Sequence, residues 1–189
     1  GVQTCALPIY IPYTPQNEEE FFQQLEQWND EDEYTRCIQA LNAIPEDWRN
    51  YRIVYAMARA LENYAVLGDH QEEPPYYKAE KALLRAIELL ELVREEGQEK
   101  SQWNMRMAYG YQYLYHQEEK AIPYAQRWAE LDPEDEDAPA VIQACQEEIA
   151  KRAGAEVEDE SDHTGVFTGF VLLSKGEWDK EQFIRDMKE

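Results

Sequence analysis

The same kind of apolar stripe recurs seven times along this chain, and most of the stripes are closed by a helix breaker. That serial arrangement limits the fold more than any other feature of the sequence. Residues 10–17 hold Pro12 and Pro15 and are expected to be extended. Residues 18–28 then place Phe21, Phe22, Leu25 and Trp28 behind an acidic first turn, which suits the positive end of a helix dipole. Asn29 and Asp30 punctuate, and residues 31–44 set Tyr34, Cys37, Ile38, Leu41 and Ile44 on one face before Pro45 stops the helix. Residues 47–67 predict a long helix with Tyr51, Val54, Met57, Ala58, Leu61, Tyr64 and Ala65 inward, ended by Gly68 and Asp69. After a polar loop at 70–75, residues 76–96 predict another. Its inner face is Ala79, Ala82, Leu83, Ala86, Leu89, Leu90 and Val93, and Gly97 is placed as its C-cap. Two further helices are expected at 101–115 and 118–131, with Pro123 in the first turns of the second. Asp132 is positioned to cap a last helix with Pro133 at its first position, and that helix is expected to end near Ala153 and Gly154.

Seven helices with short connections make three antiparallel pairs and one more, which raises the question of an internal repeat. Met57-Ala58-Arg59-Ala60-Leu61 aligns with Met107-Ala108-Tyr109-Gly110-Tyr111 at an offset of 50. Each run is a large apolar residue, a small one, then a large or aromatic one three further on. In the helices that follow, Ala82 and Ala86 match Ala121 and Ala125, and Leu89 matches Trp128. Cys37, Leu41 and Ile44 keep that spacing in the first pair. Small residues let paired helices approach, and large ones fill the space beside them.

On these residues, 18–153 resemble bacterial members of the tetratricopeptide-repeat family. Met107, Ala108 and Tyr111 take the family's Leu, Gly and Tyr positions on helix A. Ala121, Ala125 and Trp128 take the inner positions on helix B, and Pro133 falls on the closing proline within Leu131-Asp132-Pro133. Departures are an extra residue between Tyr115 and Ala121, a one-residue shift of Trp103, overlong helices around Pro74-Pro75 in the second pair, and no helix A consensus in the first. The resemblance implies an all-α fold: a tetratricopeptide-like α-solenoid of about three helix pairs plus a capping helix.

The ends read differently. Residues 1–9, GVQTCALPI, resemble the conceptual translation of a sequencing adapter, so residues 1–17 are expected to be a non-native or extended leader. Residues 154–165, with Glu156, Glu158, Asp159, Glu160 and Asp162, read as an acidic linker. From Val166 the pattern becomes β-branched and aromatic, predicting a strand at 166–173 and then a helix at 178–188 with Phe183, Ile184 and Met187 inward. A lone strand and helix do not make a stable domain, so residues 166–189 are expected to be the truncated start of an α/β domain. Gly169 to Leu173 and Glu177-Trp178-Asp179 resemble the opening of a bacterial α/β family called domain of unknown function 4261.

Charge narrows the function. Asp and Glu number 40 against 18 Lys and Arg, a formal net charge of −22. Nucleic-acid binding draws its affinity from cations that neutralise phosphate, and no basic patch is segregated here, so neither nucleic acid nor an anionic membrane is an expected partner. No apolar run approaches the length of a membrane span, and a cytoplasmic location is expected. Cys5, Cys37 and Cys145 are too few and too far apart for a disulfide or zinc framework, and the last two fall on buried stripes. No phosphate loop, nucleophile elbow or zinc-protease motif occurs, and His70, His116 and His163 are scattered, so no catalysis, metal or cofactor is expected in the visible chain.

The sequence contains 13 tyrosines. Tyr109, Tyr111, Tyr113 and Tyr115 alternate along one predicted helix, and at 100° per residue they cannot share a face. Tyr111 and Tyr115 fall with Met107 and Ala108, which leaves Tyr109 and Tyr113 on another face. In the resembled family that face of helix A lines a concave groove. The candidate ligand-binding residues are therefore Tyr55, Arg59, Glu62, Asn63, Met105, Tyr109, Gln112 and Tyr113. The expectation is a scaffold that binds a protein or peptide. The alternative is an accessory repeat domain of a larger enzyme or toxin-immunity protein whose active part lies beyond residue 189.

Overall fold

A computed structural model describes residues 10–68 and 75–161, with the backbone alone at 75–78 and 156–161. The expected strand at 166–173 and helix at 178–188 lie outside the described residues, as do Cys5, His70 and His163. Every described element is a helix: α1 (Glu18–Asp30), α2 (Tyr34–Asn42), α3 (Tyr51–Leu67), α4 (Pro75–Leu92), α5 (Arg94–Gly97), α6 (Ser101–Gln112), α7 (Glu118–Leu131) and α8 (Asp137–Ser161), with one 3-10 turn at Glu46–Trp48. None of these helices is long and apolar enough to cross a membrane.

Each helix packs on its chain neighbours. The α3–α4, α6–α7 and α7–α8 pairs are the most extensive, and α2 lies on α3. Buried stripes explain this: Ile53, Val54, Met57 and Ala58 on α3 face the Leu83, Ala86, Leu90 side of the same core. Ala108, Ala121, Ala125, Trp128, Ala138, Val141 and Cys145 form a second cluster from α6 to α8. Tyr111 and Tyr124, stacked at 5.9 Å, adjoin both clusters. The burial sequence of residues 51–60 recurs position for position at 101–110, so the offset of 50 describes inner and outer faces as well as residue types. Cys37 and Cys145 are buried free thiols whose pKa burial raises to about 11.

Several boundaries differ from the sequence expectation. The 47–67 stretch divides because Pro45 starts a 3-10 turn, and Asn50 then caps α3 by accepting the Ile53 amide. The 76–96 stretch breaks at Val93, and Arg94–Gly97 forms a separate turn of helix. Gly97 is needed there for space: a Cβ would lie 2.2 Å from the Trp103 ring. Helix α6 stops at Gln112, so Tyr115 is not on it; Tyr115 instead stacks on His116, whose φ of 55° turns the chain toward α7. Asp132 does not cap α8. Asp135 takes that role, accepting the Asp137 amide and the Trp128 indole N–H. Helix α8 continues past Gly154 through part of the acidic stretch expected to be a linker, where no proline interrupts it.

The leader is more than extended chain. Tyr13 is buried edge-on against Phe21, Tyr10 stacks on Trp28, and Gln24 clasps the Ile11 backbone through both its N–H and C=O.

Candidate binding groove between α1 and α3

Helices α1 and α3 run side by side in the same direction, joined by two rungs. Arg52 pairs with Glu19 and Glu18, and two turns further on Arg59 pairs with Glu26. Between them is a groove of about 560 Å³, within the size range of ligand sites. Its floor is apolar: Phe22 and Leu25 from α1, Cys37 and Leu41 from α2, Ala56 and Ala60 from α3. Its α1 wall carries Glu19, Gln23, Glu26 and Asp30, and its α3 wall carries Arg52, Tyr55 and Arg59.

The two arginines are held differently. Arg52 binds Glu18 and Glu19 of the first turn and lies over the Phe22 ring, 4.0 Å from its centroid. This contact holds the Glu19 carboxyl below its usual pKa. The Glu18 carboxyl is lowered first by the Tyr13 hydroxyl, which donates to it at 2.8 Å, and then by Arg52. Among the described residues Arg59 pairs with Glu26, and its Nε–H is enclosed without a hydrogen-bond partner. An ion pair as exposed as Arg59–Glu26 contributes little to stability, so a ligand can displace it at small cost.

Of the residues singled out from the sequence, Tyr55 and Arg59 line this groove. The other six do not. Glu62 is only 2% exposed. Its Oε1 accepts from Arg106 of α6 at 3.4 Å, its Oε2 has no partner, and burial pushes its pKa up to about 8 despite the nearby guanidinium. Arg106 also donates to the Tyr55 hydroxyl at 3.3 Å, which closes the middle of the α3–α6 junction. A smaller opening of about 440 Å³ remains at the N-terminal end of that junction, beside Tyr51, Tyr55 and Lys100. Asn63 is half-buried. Met105 and Tyr109 pack on the second core, with Tyr109 edge-on to Trp128 at 5.6 Å; burial raises the Tyr109 pKa. Gln112 is half-buried with an enclosed, unpartnered Oε1, and Tyr113 is 47% exposed beyond the end of α6. The tyrosine face and the groove are therefore separate places.

Sequence reasoning read α1 as a buried stripe with an acidic first turn suited to the helix dipole, and missed that its acids form a wall. A signal was present: Glu19 and Glu26 are seven apart, as are Arg52 and Arg59, the spacing of two matched helical rungs. Among the described residues no group of three or more His, Cys, Asp or Glu could hold a metal ion. Compared with known proteins, the chain matches no family model, no curated protein and no solved structure.

Proposed function

We propose that this chain is a protein- or peptide-binding helical-repeat module of the tetratricopeptide type, working by recognition rather than catalysis. The observation that carries the reading is the α1–α3 groove, with an apolar floor between an acidic and a basic-aromatic wall. The recurring burial sequence of α3 and α6 and the serial packing of helix on helix support the repeat assignment. A rigid groove with apolar floor and charged rims suits an extended or helical segment, whose side chains reach the floor while its polar groups meet the walls. Tyr55 and Arg59 act in the groove. Tyr109 and Tyr113 offer a second aromatic contact further along the chain, where Tyr113 is 47% exposed and leans on Tyr109, which is braced on Trp128.

The test is a selection of displayed random dodecapeptides on the full chain, repeated on the Ala56→Trp variant, whose indole would occupy the groove. Circular dichroism first establishes that both are equally helical. A peptide consensus of any chemistry that enriches on the wild type and not on the variant is expected. Equal enrichment on both would overturn the groove assignment.

A further inference from the structure

We propose that the α1–α3 groove selects a basic, apolar peptide: an arginine or lysine side chain seated over Ala56 against the α1 carboxylates, with a neighbouring apolar side chain on the floor. This rests on the groove being the binding site, and it names what the groove takes.

The protein's own next junction indicates the chemistry. Ala56 of α3 and Arg106 of α6 are equivalent, 50 residues apart in runs with identical burial. At the α3–α6 junction Arg106 lays its chain between the helices, 16% exposed, and ends on the Tyr55 hydroxyl and the Glu62 carboxyl of α3. At the α1–α3 junction the equivalent side chain is a methyl group, and the space is open. The helix across that space, α1, supplies Glu19, Gln23 and Glu26. A guanidinium or ammonium arriving from a ligand would meet acidic side chains there, as Arg106 meets Glu62 one junction on.

Charge balance points the same way. The groove is lined by Glu19, Glu26 and Asp30 against Arg52 and Arg59, so it keeps a negative excess after its internal ion pairs are counted. The chain around it carries −22, which draws a cationic ligand in and repels an anionic one. Asp30 makes no ion pair among the described residues and extends the acidic wall beyond Glu26.

The experiment is fluorescence anisotropy with the full chain and two labelled decapeptides, one alternating leucine with arginine and one alternating leucine with glutamate, at physiological salt. The arginine peptide is expected to bind at least about tenfold more tightly, the scale of one charge-assisted contact. Ala56→Arg, which supplies the missing side chain from within, is expected to weaken it by about the same factor while changing net charge by a single unit. Gln23→Arg, at an exposed wall position that the fold does not need, is expected to weaken it too and serves if Ala56→Arg fails to fold. Binding that survives both substitutions would show that diffuse surface acidity holds the peptide, and would overturn the proposal. Tighter binding of the glutamate peptide would also overturn it, assigning the ligand to the free edge of Arg59 while leaving the groove reading intact. Failure of both peptides in the presence of a groove-dependent consensus from the random selection would overturn the basic class alone.

Discussion

Helices α3 and α6 share one burial pattern over ten positions, yet one borders an open groove and the other a closed junction. The inner faces are alike because both serve one purpose, packing on a partner helix: Met57 and Ala58 in one, Met107 and Ala108 in the other. The outer faces differ at a single decisive place. Arg106 spans from α6 to α3, whereas Ala56 spans nothing. A shared inner face thus constrains what must be buried for the helices to hold together. It leaves the junctions between successive helices free to be filled by the protein or kept open for something else.

The comparison can be broken most severely from the inside. Trp103 and Ile53 occupy equivalent, fully buried positions, but Trp103 also donates its indole N–H to the Leu90 carbonyl at 2.9 Å and fills the space left by Gly97. Trp103→Ala is expected to cost about 3–5 kcal/mol, and Ile53→Ala about 2–4 kcal/mol, in chemical denaturation. A smaller loss at Trp103 than at Ile53 would mean that α6 is not the more firmly seated helix.

Arg106→Ala would turn the closed junction into a copy of the open one, at the cost of leaving Glu62 buried without its cation. About 3 kcal/mol is expected when Glu62 is ionised, and the cost depends on pH. Burial raises the Glu62 pKa from 4.5 to about 8, so the folded chain keeps a proton that the unfolded chain has released. Between those values the folded state binds more protons, and this group's contribution to stability falls as pH rises through that window. Removing Arg106 removes the attraction that favours the carboxylate, so the fall should extend to higher pH at the one-proton slope. Urea midpoints at pH 5, 7 and 9 would show it, and Glu62→Gln should abolish this component. A pH-independent cost for Arg106→Ala would mean that Glu62 is already solvated.

Much of this architecture was legible from residue spacing, because a stripe reports only what its own helix must bury. Phe21, Leu25 and Trp28 on α1, and Ala121, Ala125 and Trp128 on α7, are all buried as their periodicity requires. The groove was half legible. Tyr55 and Arg59 follow from the outer face of α3, but Glu62, one turn on from them, is covered by Arg106, and nothing in the local sequence announces a side chain arriving from 44 residues away. Tyr109 was read as free for a similar reason: its ring rests on Trp128 of the next helix. The leader was missed because two prolines signal extended backbone without saying what the neighbouring Tyr10 and Tyr13 will touch.

Smaller effects sharpen the same contrast. Gly97→Ala places a methyl group into the Trp103 ring and should cost about 1–3 kcal/mol, confined to the α5–α6 corner and visible as loss of the fixed Trp103 environment in fluorescence.

The finest test compares the two arginine latches at the ends of the array. Arg52 ties α3 to the acidic first turn of α1, and Arg152 ties the far end of α8 to the acidic first turn of α7. Both neutralise carboxylates at a helix N-terminus, but their surroundings differ: the Arg152 and Glu118 side chains are 16% and 12% exposed, and those of Arg52 and Glu18 are 43% and 26% exposed. Water screens the second pair more, so Arg52→Ala should cost under about 1 kcal/mol and fade with added salt. Arg152→Ala should cost more and persist in salt. If the order is reversed, Arg52 contributes through its contact with the Phe22 ring rather than through charge. Arg52→Gln should then be as damaging at high salt as at low, and the open side of the molecule would owe its shape to an aromatic platform instead of an ionic rung.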